Sequence, residues 1–522
     1  MMTREERMTR KWGIPALLSA SLMLSAAPAV HAQNNDRAIT VVLAVEPDSL
    51  DPCDTQTAQN ANIVRGNVYE SITHVNPDDG KVEPLLAESW KHVSDLVWEF
   101  KLRQGVKFHD GTEFDAETAA ANIKRTQAGL DFYGGSLACF NSEQFPDRVV
   151  GEAVDKYTLR VTTPKLDPIL PLRLSYVDVG DLASQTKTDK ITNPVGTGPY
   201  KFVSRAQGES VKLTRYDGYW GAKPEVKDVT YVYRAEPSVR AGMIETGEAQ
   251  IAVAIRAEDA TDDDRTVSYK DNRIFLMRTN TYKEPFVDPR VRQAVSHAID
   301  RETIIPALMG ITGEPWYQML GPQVNGYIPG FDDKDALKYD PEKAKQLIAA
   351  AKADGHPVDT EFDIITRPDI FPGGEEVVQA ISQNLKDVGF KFKVLSMESS
   401  AWLKYLRQPF PPEQRATLQM ISHDNTSGDA SFSFPKYVTC KGSVSATCNP
   451  EIDRLVTEAD VAEGDKRAEL YQQAARILYT QESSMIGVAE QARLMMLGEG
   501  VQYKTNSLSG IEIKIADLHF SE

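Results

Sequence analysis

The residues best suited to chemistry in this sequence of 522 are four cysteines, Cys53, Cys139, Cys440 and Cys448. Cys440 and Cys448 bracket the loop Lys-Gly-Ser-Val-Ser-Ala-Thr, whose glycine and small polar residues suit a local disulfide. Cys53 and Cys139 lie far apart, and both a long-range bridge and two buried free thiols fit them. A zinc-type site is not expected, because no CxxC or HExxH occurs and the eight histidines are scattered. His109-Asp110 has the composition of an acid–base pair, but the Gly111-Thr112 that follows makes it a turn. Asp262-Asp263-Asp264 is the one acidic run and reads as a solvated loop. No GxSxG elbow, Walker loop or GxGxxG fingerprint appears. The sequence therefore points away from an enzyme, and no cofactor is expected.

Disulfides need an oxidising compartment, and the N-terminus supplies the route to one. Arg4, Arg7, Arg10 and Lys11 precede the apolar run Ile14–Ala27, and Val30-His31-Ala32 offers the short residues of a cleavage site. Residues 1–32 are expected to be a secretory signal peptide, too short for a membrane span. The mature protein is expected in the periplasm, without a lipid anchor, since no cysteine closely follows the cleavage point. With 58 Lys and Arg against 75 Asp and Glu, the chain carries a net charge of −17. Such a balance repels nucleic acid and anionic lipid. Composition is otherwise that of a globular protein long enough for two or three domains.

The elements that must position any site follow from periodicity. Ile39–Leu43 reads as a buried first strand. Trp98, Phe100 and Leu102, and then Tyr157, Leu159 and Val161, alternate as half-buried strands. Between them Asp115 can cap a helix running to Arg125. Strands are expected again at 211–213 and 229–233. From residue 285 onward the pattern turns helical. Asp288-Pro289 and Asp340-Pro341 both have the form of a cap followed by a first-turn proline, and Gly355 stops the second helix. Phe362 and Ile364, the stripe Val378-Ile381-Leu385-Val388, and Phe390-Phe392-Val394 make a strand–helix–strand unit and so a partly parallel sheet. Residues 451–482 are expected to be helical. Ile511–Ile515 alternates like a strand returning to an earlier sheet. There is no internal repeat.

Several segments resemble one family. They are Lys107–Glu117 with Asn122–Arg125, Gly196–Phe202, Asp288–Arg301 and Tyr339–Ala344. In order, and across nearly the whole mature chain, they are similar to the dipeptide, oligopeptide and nickel-binding periplasmic proteins that feed ABC importers. The resemblance implies an α/β, two-lobed periplasmic binding protein fold of the class II type, with an extra domain inserted in the first lobe. It implies a first lobe of residues 33–70, 197–280 and 490–522, an inserted domain of 71–196 and a second lobe of 281–489. Two strands would join the lobes, which close over ligand.

The resemblance also implies the site. Dipeptide-binding members hold the ligand ammonium with an Asp in a loop before the small disulfide, and its carboxylate with an Arg followed by Pro. Asp424 and Arg367 stand at the matching places, in Ser422–Asp429 and Thr366-Arg367-Pro368. Trp402, near the cleft, fits both a residue that stacks on ligand and an ordinary core tryptophan. The family's aspartate-rich loop is replaced here by Thr426-Ser427-Gly428, and no Pro follows Asp429. The expected partners are a short peptide ligand and inner-membrane permease subunits, with no nucleic acid, and the protein is expected to be a monomer. A non-peptide solute such as an opine, a nickel chelate or a sugar is the alternative.

Overall fold

The computed structural model describes residues 36–55, 57–127, 139–185, 189–261, 263–368, 370–425, 427–505 and 512–521. The expected signal peptide lies outside the described residues, as do Asp262 of the acidic run, Thr426 and Ile511.

Among the described residues, eleven strands form one mixed sheet. Its path runs Tyr200–Ala206, Ser210–Arg215, Val226–Tyr233, Arg37–Leu43, Ile251–Ile255, Met485–Leu497, Thr266–Thr279, Thr417–Asp424, Phe362–Thr366 and Phe392–Ser396. Gly313–Pro315 adds to Met485–Leu497 from the side. Arg37–Leu43 is parallel to both of its neighbours. At the other end Phe362–Thr366 is parallel to both of its own. Two long antiparallel strands, Thr266–Thr279 and Met485–Leu497, belong to both halves. Thr266–Lys270 pairs with Met496–Ala492 beside the first half, and Ile274–Arg278 pairs with Glu490–Met485 beside the second. The register breaks between Lys270 and Ile274, where Asn272 takes a left-handed φ of 54°.

The second half is layered on both faces, so its strands read as continuous apolar runs. Phe275 and Met277 pack under the helices Pro289–Ala298, Pro341–Ala353 and Gly374–Asp387. Their neighbours Ile274 and Leu276 point the other way, toward Pro450–Val461 and Gly464–Arg476. A separate four-stranded antiparallel sheet lies between residues 87 and 162. Its strands are Ala87–Ser94, Val97–Leu102, Thr158–Thr162 and Val150–Asp155, covered by the helix Ala116–Thr126. This sheet falls inside the stretch assigned to the inserted domain.

The capped starts form as their sequence dictates. The Asp115 carboxylate accepts the Thr118 amide, Asp288 accepts that of Arg290, and Asp340 that of Lys343. Gly389 follows the helix Gly374–Asp387 with φ of 99°, a backbone region that side chains disfavour. Three expectations are corrected. Residues 512–514 are irregular and Ile515–Asp517 is a 3₁₀ turn, so the returning strand is Met485–Leu497. That strand is buried on both faces and therefore shows no alternation. The stretch 451–482 breaks at Ala462-Glu463, before Gly464 with φ of 52°, and ends in a π-helical turn over Ile477–Glu482. Tyr157 sits in the turn before its strand, and Phe390 before Phe392–Ser396.

Both cysteine pairs are disulfides. Cys440 and Cys448 have Cα atoms 4.2 Å apart, and Cys53 and Cys139 4.8 Å. The long-range bridge thus replaces the alternative of two free thiols.

Candidate functional site

Strand direction locates the site. Ile251–Ile255 and Arg37–Leu43 run the same way as Thr266–Thr279, because each is related to Met485–Leu497 directly or through one neighbour. Thr417–Asp424 and Phe362–Thr366 run the opposite way. Ile255 ends level with Ser268, through their shared partner Leu494, while Asp424 ends opposite Arg273. The carboxyl ends of both parallel sets therefore converge on residues 268–273 of the long strand, where its register breaks. Ligands of open α/β sheets bind outside such carboxyl ends.

Charged side chains crowd this point. The Arg273 guanidinium lies 3.7 Å from the Asp424 carboxylate. The pair is only partly sheltered, with 34% of the Arg273 side chain and 52% of the Asp424 side chain exposed. Asp271 pairs with Arg493. Lys270 reaches Glu314 at 2.7 Å and the fully buried Glu490 at 2.6 Å. Burial pushes the Glu490 carboxyl above its usual range, against the pull of Lys270.

Arg367 follows the strand Phe362–Thr366 directly. Its guanidinium donates to the Ser399 hydroxyl at 2.9 Å and lies 4.8 Å from the ring centre of Trp402. Trp402 is 4% exposed, belongs to the second-half core, and donates its indole N–H to the Met420 carbonyl at 3.2 Å. The reading in which Trp402 stacks on ligand meets a different geometry: Arg367 covers its ring, and Trp402 supports that guanidinium. Arg367 and Trp402 are brought together, whereas Asp424 pairs with Arg273. The parallel register pairs Ile365 with Gln419, so Arg367 follows, and Asp424 closes, the carboxyl ends of two neighbouring strands.

The loop after Asp424 is braced. Asp429 is buried and holds Arg467 through two hydrogen bonds, of 2.9 and 2.7 Å. Burial alone would raise the Asp429 carboxyl, but Arg467 keeps it below the usual range. Asn325 donates to the same carboxylate at 2.8 Å, and the Asn425 amide donates to Ser433 at 2.7 Å. At the loop's tip the Ser427 hydroxyl donates to the Gln144 side chain, which comes from beyond the four-stranded sheet's helix. Beside this contact a groove of about 640 Å³ opens between Trp90 and Trp98 on that sheet and Tyr327, Gly428 and Arg467 on the second half.

His109 is half-buried in its turn, 2.9 Å from the Gly198 carbonyl, and desolvation pushes its pKa down to about 4. It faces backbone and not the convergence point. Sequence reasoning missed Arg273, Gln144 and Ser427. Arg273 sits in a strand whose neighbours gave no motif, and Gln144 meets Ser427 only through the fold.

Residues 81–443 match the model of the bacterial extracellular solute-binding proteins, family 5. The dipeptide-binding protein of Escherichia coli (strain K12) is 25% identical over 493 residues, covering 86% of this chain and 90% of its own. Heme-binding protein A of Haemophilus influenzae is 27% identical over 447 residues, covering 79% of this chain and 80% of its own. The solved structure of HbpA2 from Haemophilus parasuis superposes with a TM-score of 0.83 at 24% identity, over 93% of this chain and all of that one.

Proposed function

Because this chain belongs to family 5 of the bacterial extracellular solute-binding proteins of ABC importers, we propose that it captures short peptides in the periplasm. It hands them to the permease subunits of an inner-membrane importer. On this reading residues 1–32 are the signal peptide that carries it there. No helix among the described residues is long and apolar enough to cross a membrane.

One observation carries the peptide reading. A half-exposed carboxylate, Asp424, and a supported guanidinium, Arg367, stand at the carboxyl ends of neighbouring parallel strands, at the point where such ends converge. A free peptide of two or three residues carries an ammonium and a carboxylate at its two ends, roughly 7–10 Å apart in an extended chain. Asp424 then takes the ammonium in place of Arg273, and Arg367 takes the carboxylate through its planar fork. Backbone ends are common to all peptides, so side chains are left to water and space.

A second reading has an observation in its favour, since one relative carries the name heme-binding protein. A tetrapyrrole has carboxylates and no ammonium. It would use Arg367 and Arg273 and gain nothing from Asp424. A thermal-shift screen separates the readings. Free di- and tripeptides should raise the melting temperature by mass action, and N-acetylated ones should not. A response to heme, a nickel chelate or a sugar, with none to any peptide, would replace the peptide reading.

A further inference from the structure

We infer that Gln144 is a ligand-contacting residue, whose side-chain amide bridges a peptide carbonyl or carboxylate oxygen to Ser427 when the lobes are closed. The inference rests on the peptide reading of the cleft. Gln144 is 1% exposed and Ser427 is 6% exposed, yet they lie 283 residues apart in the chain. One end of the amide is engaged by the Ser427 hydroxyl. The other end, Nε2, is buried and has no protein partner among the described residues. A buried amide donor left unpaired carries a desolvation cost that a ligand acceptor removes. Ser427 is three residues past Asp424, so the unpaired donor sits beside the loop that is expected to hold the ligand ammonium.

Both sides of the contact are fixed before they meet. Gln144 ends a short 3₁₀ turn, Phe140–Gln144. The turn is stapled to the segment after the first strand by the Cys53–Cys139 bridge. Asn141 adds bonds to the Pro52 carbonyl at 3.1 Å and the Thr55 hydroxyl at 2.7 Å. Arg173 donates to the Gln144 carbonyl at 2.6 Å and pairs with Asp167. Opposite, the loop 425–429 is held by Asp429–Arg467 and Asn425–Ser433. A single side chain projecting between two braced elements has little freedom left to lose on binding. On this account the long-range disulfide aims Gln144 at the ligand.

The test is a titration of Met-Leu, and of an equimolar dipeptide mixture, against wild type, Ser427→Ala, Gln144→Met and the double variant. Gln144→Met keeps the side chain's length and removes both amide functions. Ser427→Ala removes only the contact between lobes and should weaken binding about threefold. Gln144→Met should weaken it about ten- to thirtyfold, and the double variant should match Gln144→Met. Equal losses in both single variants, or full affinity in Gln144→Met, would overturn the inference. Wild type that binds neither probe would overturn the peptide reading and this inference together. Circular dichroism melts of the unliganded variants should match wild type, and a Gln144→Met that melts far lower would assign the residue to folding instead.

Discussion

The Arg367 guanidinium lies over the indole of Trp402, 4.8 Å from the ring centre, while that indole is hydrogen-bonded to Met420 of the next strand. The ring therefore transmits the position of one strand to the charge that follows its neighbour. An arginine stacked in this way is worth roughly 0.5–2 kcal/mol, and a lysine cannot copy its planar fork. Arg367→Ala should cost about ten- to a hundredfold in peptide affinity, and Trp402→Leu about tenfold. Calorimetric titration would show this. Unchanged affinity in Trp402→Leu would mean that Arg367 needs no platform.

The two aspartates of the following loop should separate cleanly. Asp424 is half exposed, so Asp424→Ala should leave the melting temperature close to wild type while reducing peptide affinity by about tenfold or more. Asp429 is buried against Arg467, and removing one partner of such a pair costs roughly 3–5 kcal/mol. Asp429→Ala should therefore lower stability strongly. Urea denaturation of both variants checks the contrast.

Stability should depend on pH through Glu70. Burial pushes its carboxyl up to about 7, against hydrogen bonds donated by Trp220, Tyr219 and Thr197. The folded state thus holds the proton more tightly than the unfolded state, whose carboxyl titrates near 4.5. The stability from this group is complete below pH 4.5, falls as pH rises through 7, and stays lost above it. The total is about 3 kcal/mol. Glu70→Gln imitates the protonated acid and should flatten that part of the profile. Urea melts at pH 5 and pH 8 test it, and a Gln variant with the wild-type slope would contradict it.

Thiol labelling of protein made in an oxidising compartment, unfolded without reductant, should detect no free sulfur. The eight-residue separation of Cys440 and Cys448 corresponds to about 2–3 kcal/mol on a chain-entropy account, and the 86-residue separation of Cys53 and Cys139 to about 4–5 kcal/mol. The Cys53→Ser, Cys139→Ser double variant should therefore lose more stability than the Cys440→Ser, Cys448→Ser one.

Local signals carried most of what could be read from the sequence. Asp115, Asp288 and Asp340 cap helices because cap and apolar stripe are adjacent in the chain, with a first-turn proline after Asp288 and Asp340. The small disulfide was legible for the same reason. Met485–Leu497 was not, because a strand covered on both faces has no alternation to read, while residues 512–515 alternate in sequence without forming one. Arg367 and Asp424 entered through family resemblance, since neither sits in a motif with a mechanism of its own. Arg273, Gln144 and Ser427 owe their places to pairings across 151 residues (Arg273–Asp424) and 283 residues (Gln144–Ser427), which only the assembled fold reveals.

The central claim is that the cleft takes free peptides. Mass spectrometry of small molecules released by denaturing protein purified from the periplasm tests it most directly. The account predicts unmodified peptides of two or three residues with free ammonium and carboxylate ends, at near-stoichiometric yield. A tetrapyrrole, a metal chelate or a sugar in that fraction, with no peptide, would contradict it.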